Sequence, residues 1–376
     1  MSATHANLSP AEANARQRAP VALRCACGRA LPLRRNELLC VCGRNLGARQ
    51  DGLWRIGQPA PYWGEVEEER MADLLSVCRR RNWRSAAKKV LPELAGYLLD
   101  ARRAAFIEVL PLPPGRRLLE IGAGMGAISA ELARDYDVVA MEGVRERAEF
   151  LALRAAQDGL ERLQVICADW HLIRFAPSQF DGIIMNGVLE WVGLGDRAGS
   201  PRAAQLRFLR RAREWLAPDG VIYLAIENRF GLPVLRGSRD HSGLPFTSLL
   251  PRWAARLACA FWAPYRSGAN RGYRTYTYSY GGYRRLLEQA ELKIEQSYVC
   301  PLGYNLPVGL MPLHPAALRF QKARRGMARG ILWRAARRRL NWVWLYRALG
   351  GDFAFVLSAA SPASVVALPS GERNDA

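Results

Sequence analysis

Leu118-Leu119-Glu120-Ile121-Gly122-Ala123-Gly124-Met125-Gly126-Ala127 is the stretch around which the chain is organised. It reads as a short apolar strand, a glycine-rich turn and the start of a helix. Glycines at 122, 124 and 126 let the backbone turn sharply and approach a ligand without a Cβ in the way. Such a turn belongs to nucleotide-type ligands at the carboxyl end of a parallel strand.

Outward from this stretch, strand and helix patterns alternate, which predicts a parallel sheet with helices on both faces. The expected strands are 117–121, 138–141, 163–167, 180–185 and 221–225, with later ones at 293–299 and 353–358. Helices are expected over 127–135, 144–157 and 202–216. Upstream, one helix rises from the acidic run at Glu65–Glu69 to Arg79–Arg81, in the sense favoured by the helix dipole. A second helical stretch runs from Trp83 to Leu110, and Pro111–Gly115 breaks it.

The chain has 376 residues, 50% hydrophobic and 23% charged, which fits a folded protein and excludes a disordered one. Its formal charge of +20 points to an anionic partner, whether nucleic acid, a membrane surface or a phosphorylated substrate, unless it only reflects an arginine-rich proteome. Residues 1–20 lack the apolar core of a secretory signal and read as a disordered tail, as do 361–376. Charged residues and prolines interrupt the apolar stretches at 244–265 and 349–369, so neither reads as a membrane span, and a cytoplasmic protein is expected.

Of eight cysteines, four fall in two Cys-x-Cys-Gly knuckles, Cys25/Cys27 and Cys40/Cys42, twelve residues apart within a compact unit at 21–57. Four thiolates are the usual complement of a structural zinc, and a module this small needs a metal to supply its folding energy. Both knuckles are one residue shorter than the common Cys-x-x-Cys, so a ribbon that has lost its metal, or a redox pair, remains open.

Gly122-x-Gly124-x-x-Ala127 with Glu142 twenty residues beyond Gly122 fits both an NAD enzyme and an S-adenosylmethionine enzyme. Glu120 would repel a pyrophosphate but suits the cationic end of S-adenosylmethionine. Asp169-Trp170 ends the third strand, Asn186–Trp191 follows the fourth, and Pro218-Asp219-Gly220 introduces the fifth. As an ordered series, Glu120-x-Gly122-x-Gly124-x-Gly126, Glu142, Asp169, Asp181–Asn186 and Pro218–Gly220 resemble the class I S-adenosylmethionine-dependent methyltransferases. The resemblance covers about 116–230. It implies a Rossmann-like seven-stranded sheet whose last strand is antiparallel, here preceded by an N-terminal cysteine ribbon and interrupted by a basic helical insertion at 304–350. Residues 58–112 would be a helical linker region and 113–360 the catalytic domain. It also implies that Glu120, the glycines and Asn186 line the cofactor, that Glu142 binds the ribose hydroxyls, and that Asp169 and Trp170 bracket the adenine.

Tyr62–Glu65, Asn186–Val192, Ile226–Leu232 and Asp240-His241-x-Gly243 are further similar to a bacterial group associated with cell-surface polysaccharide synthesis. That resemblance implies a saccharide or lipid-linked saccharide acceptor. Methylating a sugar hydroxyl gains from a positioned base, and His241 lies where the acceptor would enter. Glu227 is the rival base, and Asp240 could bind a substrate hydroxyl, unless Asp240 and His241 only cap a loop. Between 319 and 347 stand ten Lys and Arg with no acid, interleaved with Trp333, Trp342, Trp344 and Tyr346. That pattern suits an anionic membrane surface, nucleic acid less well, or a solvated cap. An RNA methyltransferase and a non-catalytic scaffold are the alternative functions. Asn186-Gly187-Val188-Leu189 departs from the Asn/Asp-Pro-Pro-aromatic run used on base amino groups.

Overall fold

The computed structural model describes residues 20–34, 36–60, 62, 64, 66–195, 199–262, 273–301, 303–306, 309–318 and 342–360. Five parallel strands form the centre of the sheet: β6 (Arg117–Ile121), β7 (Asp137–Glu142), β8 (Leu163–Ala168), β9 (Phe180–Asn186) and β10 (Leu216–Ile226). All five residues of β6 are buried, as expected where helices cover both faces. Alternation then divides the core. Leu119, Val139 and Ile183 face Phe208 and Trp215 of the helix Pro201–Trp215, while Leu118, Val138, Ile184 and Tyr223 share the other face, where Phe106 stacks on Tyr223. Arg117, buried among them, is neutralised by Asp137 (Nε to Oδ2, 2.7 Å).

The chain steps from β6 to β7 and β8 on one side, then returns to lay β9 and β10 on the other. The crevice at this reversal, at the carboxyl ends of β6 and β9, is where open α/β sheets bind ligands. β11 (Leu292–Cys300) and β13 (Asp352–Ala359) complete this side. β13 lies between β10 and β11 and is antiparallel to both.

The sheet is wider than the expected seven strands. A two-residue strand, β12 (Met311–Pro312), pairs with β11. At the opposite edge, β5 (Leu53–Ile56) pairs in parallel with β8, and β4 (Asn45–Gln50) and β3 (Glu37–Leu39) follow it, making eleven strands among the described residues. The cysteine-bearing module is thus joined to the sheet by main-chain bonds. Its remaining hairpin, β1 (Ala22–Arg24) and β2 (Ala30–Pro32), clasps the chain after β8: Arg24 N–H donates to Arg174 O (2.7 Å) and Ala176 N–H to Ala22 O (2.9 Å).

Two helices differ from expectation. The stretch 83–110 is broken into Trp83–Val90, Pro92–Leu99 and a 3-10 segment Ala101–Val109, because Pro92 has no N–H to continue the first helix and instead opens the second. The helix after the glycine loop is a single turn, Ser129–Leu132, followed by tight i→i+3 turns at Arg134 and Asp135. The segment 58–112 packs as part of the body. Trp83 meets Phe150 edge-on at 6.1 Å and donates from Nε1 to Asp158 Oδ1 (2.9 Å).

No described helix is long and apolar enough to cross a membrane. Of the basic insertion, the helix Trp342–Leu349 is described. Residues 319–341, which carry nine of its ten cations, lie outside the described residues, as do the tails 1–19 and 361–376.

Candidate active site

The carboxyl ends of β6 to β9 bring the expected cofactor residues to one edge. Gly122, Gly124 and Gly126 all have positive φ (74°, 55° and 76°). A Cβ on Gly124 would meet nothing within 4 Å, so this glycine borders open space. A Cβ on Gly126 would stand 2.1 Å from Leu151 Cδ1, and one on Gly122 would stand 2.7 Å from Val188 Cγ2. Gly122 and Gly126 therefore serve close packing of the loop, and Gly124 the cradle. Gly126→Ala combines a disfavoured φ with overpacking, and the expected cost is about 2–4 kcal/mol of stability. Gly124→Ala should lower the melting temperature far less and weaken S-adenosylhomocysteine binding more. Thermal melts and calorimetric titration of both variants check this.

Glu142 holds the cradle in shape, accepting the N–H of Gly124 on Oε2 (2.7 Å) and that of Val144 on Oε1 (2.9 Å). Glu120 lies beneath the loop instead of in the open cleft. It is 3% exposed and accepts the Ser129 hydroxyl; burial raises its pKa to about 7 against that bond and the charge of Arg103. From there it supports the start of the helix that follows the loop, through Ser129. Asp169 Oδ1 accepts the His171 N–H (2.8 Å) and so shapes the turn after β8. The Trp170 ring packs between His171 (3.6 Å) and Phe208 (4.8 Å), which ties that turn to the helix Pro201–Trp215. Asn186 Oδ1, at the end of β9, is buried without a hydrogen-bond partner among the described residues. The open space at Gly124 and this unpaired acceptor fit a polar, extended cofactor lying across the switch point.

Beyond β10, the fold assembles a pair that the sequence offered as rivals. His241 Nε2 lies 3.1 Å from Glu227 Oε2 and 3.8 Å from Glu190 Oε1, with the ring 4.2 Å from that of Trp191. Burial alone would lower the imidazole's pKa. The contact and charge of Glu227, helped by Glu190 and Asp240, outweigh it and raise the pKa to about 9.

Asp240 turns back to its own loop. Its Oδ1 accepts the Ser242 N–H (2.8 Å) and the Thr247 hydroxyl (3.2 Å), and its Oδ2 accepts the Ser248 hydroxyl (2.6 Å). It folds the loop that presents His241 and is occupied in doing so.

Three further groups close the site. Glu190 is fully buried, and Oε1 accepts the Tyr304 hydroxyl (3.3 Å) while Oε2 has no hydrogen-bond partner among the described residues. Burial, partly offset by His241, raises its pKa to about 7. Asp352 accepts the Tyr304 N–H (3.2 Å), and its pKa is likewise raised to about 7, by burial and then by Glu227. Glu190 was visible inside the Asn186–Trp191 run. Tyr304 and Asp352 carry no local signal; they arrive because β13 is inserted next to β10.

At the far edge, the four sulfurs of Cys25, Cys27, Cys40 and Cys42 lie within 4.8 Å of one another, with Cys25–Cys42 at 3.6 Å and Cys27–Cys40 at 3.5 Å. Four sulfurs about 2.3 Å from one zinc would stand roughly 3.8 Å apart. Each knuckle makes the same turn. Gly28 N–H donates to Cys25 O and Gly43 N–H to Cys40 O, with positive φ at both glycines. All four cysteines are free thiols.

Residues 119–224 match the family described as a methyltransferase domain. The chain is similar to the cyclopropane-fatty-acyl-phospholipid synthase of Escherichia coli strain K12, at 36% identity over 96 residues, 25% of this chain and 24% of that one. It is similar to the protein-L-isoaspartate O-methyltransferase of Pyrococcus horikoshii, at 27% identity over 170 residues, 43% of this chain and 72% of that one. Among solved structures, phosphoethanolamine N-methyltransferase 1 of Haemonchus contortus, in complex with phosphoethanolamine and S-adenosylhomocysteine, aligns with a TM-score of 0.42 and 14% identity, covering 84% of this chain and 53% of that one. The chain spans about a quarter of the length of the synthase. The matched residues 119–224 run from β6 into β10 and so hold the glycine loop, Glu142, Asp169 and Asn186.

Proposed function

We propose that the protein is an S-adenosylmethionine-dependent methyltransferase that O-methylates a hydroxyl of a saccharide, free or lipid-linked, in surface-glycan synthesis. The observation that carries the hydroxyl reading is the half-buried His241–Glu227 pair in the loop after β10. A hydroxyl keeps its proton at neutral pH, so transfer to it gains from a held base. The saccharide rests on the sequence resemblance of Tyr62–Glu65, Asn186–Val192, Ile226–Leu232 and Asp240–Gly243. Bound S-adenosylmethionine would supply an already activated methyl group, leaving the protein to align the acceptor and exclude water. Gly124, Glu142, Asp169 and Asn186 would hold it. His241 takes the acceptor proton, Glu227 stabilises the resulting imidazolium, and Glu190 and Tyr304 fix the ring's surroundings. Cys25, Cys27, Cys40 and Cys42 hold a structural zinc. Their free thiols suit the reducing cytoplasm, where we place the enzyme.

The pH profile of kcat/KM tests the base. With a pKa of about 9, only about one imidazole in a hundred is neutral at pH 7. Methyl transfer from labelled cofactor to a glycan pool should therefore rise about tenfold per pH unit toward 9. Glu227→Gln removes the charge that holds the proton and should move this limb down by at least about one unit. A limb that stays where it is removes His241 from the mechanism. Label appearing in the RNA pool and not in glycan would overturn the acceptor.

A further inference from the structure

We propose that the surface formed by residues 232–261 docks on an anionic phospholipid bilayer and so presents the His241 site to an acceptor held at the membrane surface. The helix Arg252–Trp262 carries the main observation. Its inward face is used, with Ala255 fully buried in a cluster with Tyr273 and Tyr276. Its outward face bears Trp253, Leu257 and Phe261, exposed to 68%, 51% and 75%. Spaced by four residues, these three form one apolar stripe along the helix.

The stripe is continued by the chain before it. Leu232 and Leu235 are each 42% exposed, Phe246 46% and Leu250 36%. Within that preceding chain Gly237 packs on Phe246, a Cβ there lying 3.2 Å from Phe246 Cζ, and the turn Thr247–Leu249 contacts the helix. An exposed apolar patch of this kind marks an interaction site more often than a solvated surface.

Charge selects the partner. Arg236, Arg239 and Arg256 are exposed around the stripe. Asp240 is the one acid between residues 232 and 262, and it is occupied by Ser242, Thr247 and Ser248. A face of leucine, phenylalanine and tryptophan ringed by arginine, with no exposed acid, complements acyl chains beneath anionic headgroups. A nucleic acid would engage the arginines but leave the leucines in water.

The surface is also bound to the site. Arg229, two residues after Glu227, donates to Ser248 O and Leu250 O, so the His241 loop and the start of the helix move together. This link to catalysis rests on the reading of residues 227–243 as the acceptor side; the docking itself does not.

Sedimentation of the full chain at low salt with vesicles of phosphatidylcholine, alone or with about a third phosphatidylglycerol, tests the proposal. Co-sedimentation is expected with the anionic vesicles and much less with the neutral ones. The Trp253→Ser, Leu257→Ser, Phe261→Ser triple variant should partition at least about tenfold more weakly. Its melting temperature and S-adenosylhomocysteine affinity should stay unchanged, which separates loss of docking from misfolding. The absence of sedimentation overturns the proposal. So does a triple variant that sediments like the wild type, which would leave only polyanion binding by the arginines, or a dimer that the same variant abolishes. None of these readouts requires turnover, so docking and the proposed methyl transfer fail independently.

Discussion

His241→Gln is expected to lower methyl transfer by about 10²- to 10⁴-fold while S-adenosylhomocysteine binds as before. The residue stands after the fifth strand of the central sheet, and none of the groups that shape the cofactor cradle is bonded to it. Glutamine keeps the ring's approximate volume between Trp191 and Glu227 but cannot take a proton near neutral pH. The loop should survive, because Asp240, Ser242, Thr247 and Ser248 hold it together without the imidazole. Turnover with labelled cofactor, beside calorimetric titration of the product cofactor, separates the two properties. Near-normal turnover with intact binding would show that the proton leaves by another route.

The second large effect is expected at the other edge of the molecule. Cys27 and Cys42 are exposed, so replacing both by serine removes two ligands with little loss of packing. If the cluster holds zinc, the double variant loses the metal, and with it much of the energy that folds so small a module. The module is paired to β8 through Leu53–Ile56 and clasps Arg174 and Ala176, so its loss frays the sheet edge beside Asp169. A fall in melting temperature of about 10 °C is expected, corresponding to roughly 3–5 kcal/mol in a domain of this size. Metal analysis of the wild type and thermal melts of both proteins measure it. About one zinc per chain should be found in the wild type; a metal-free wild type that melts like the variant would leave the cluster as four thiols.

The central strands were legible because burial on both faces demands continuous apolar runs, and β6 to β9 have them to within about a residue at each end. The breaks were less so. Pro92 was in plain view inside a pattern whose helical spacing continues on both sides, and only the missing N–H ends the first helix there. The width of the sheet was not legible at all. Strand pairing is a contact between distant segments, and nothing local in Leu53–Ile56 names β8 as its neighbour.

The candidate site divides in the same way. The amino-acid sequence by itself determined the glycine loop, the acid twenty residues on, the asparagine after the fourth strand and the two cysteine knuckles, since each is a local pattern imposed by local geometry. It also supplied His241, Glu227 and Asp240, but without an order among them. Tertiary structure alone decided that Glu227 faces His241 while Asp240 turns back to its own loop. It alone buried Glu120 under the turn, brought Glu190 to the imidazole, and set Tyr304 on Glu190 and Asp352 on the Tyr304 main chain. The physical reason is distance along the chain. A carboxylate's charge acts through space over a few ångströms, and Asp352 comes within reach of Glu227 and His241 because β13 is inserted beside β10, a pairing of residues more than a hundred positions apart.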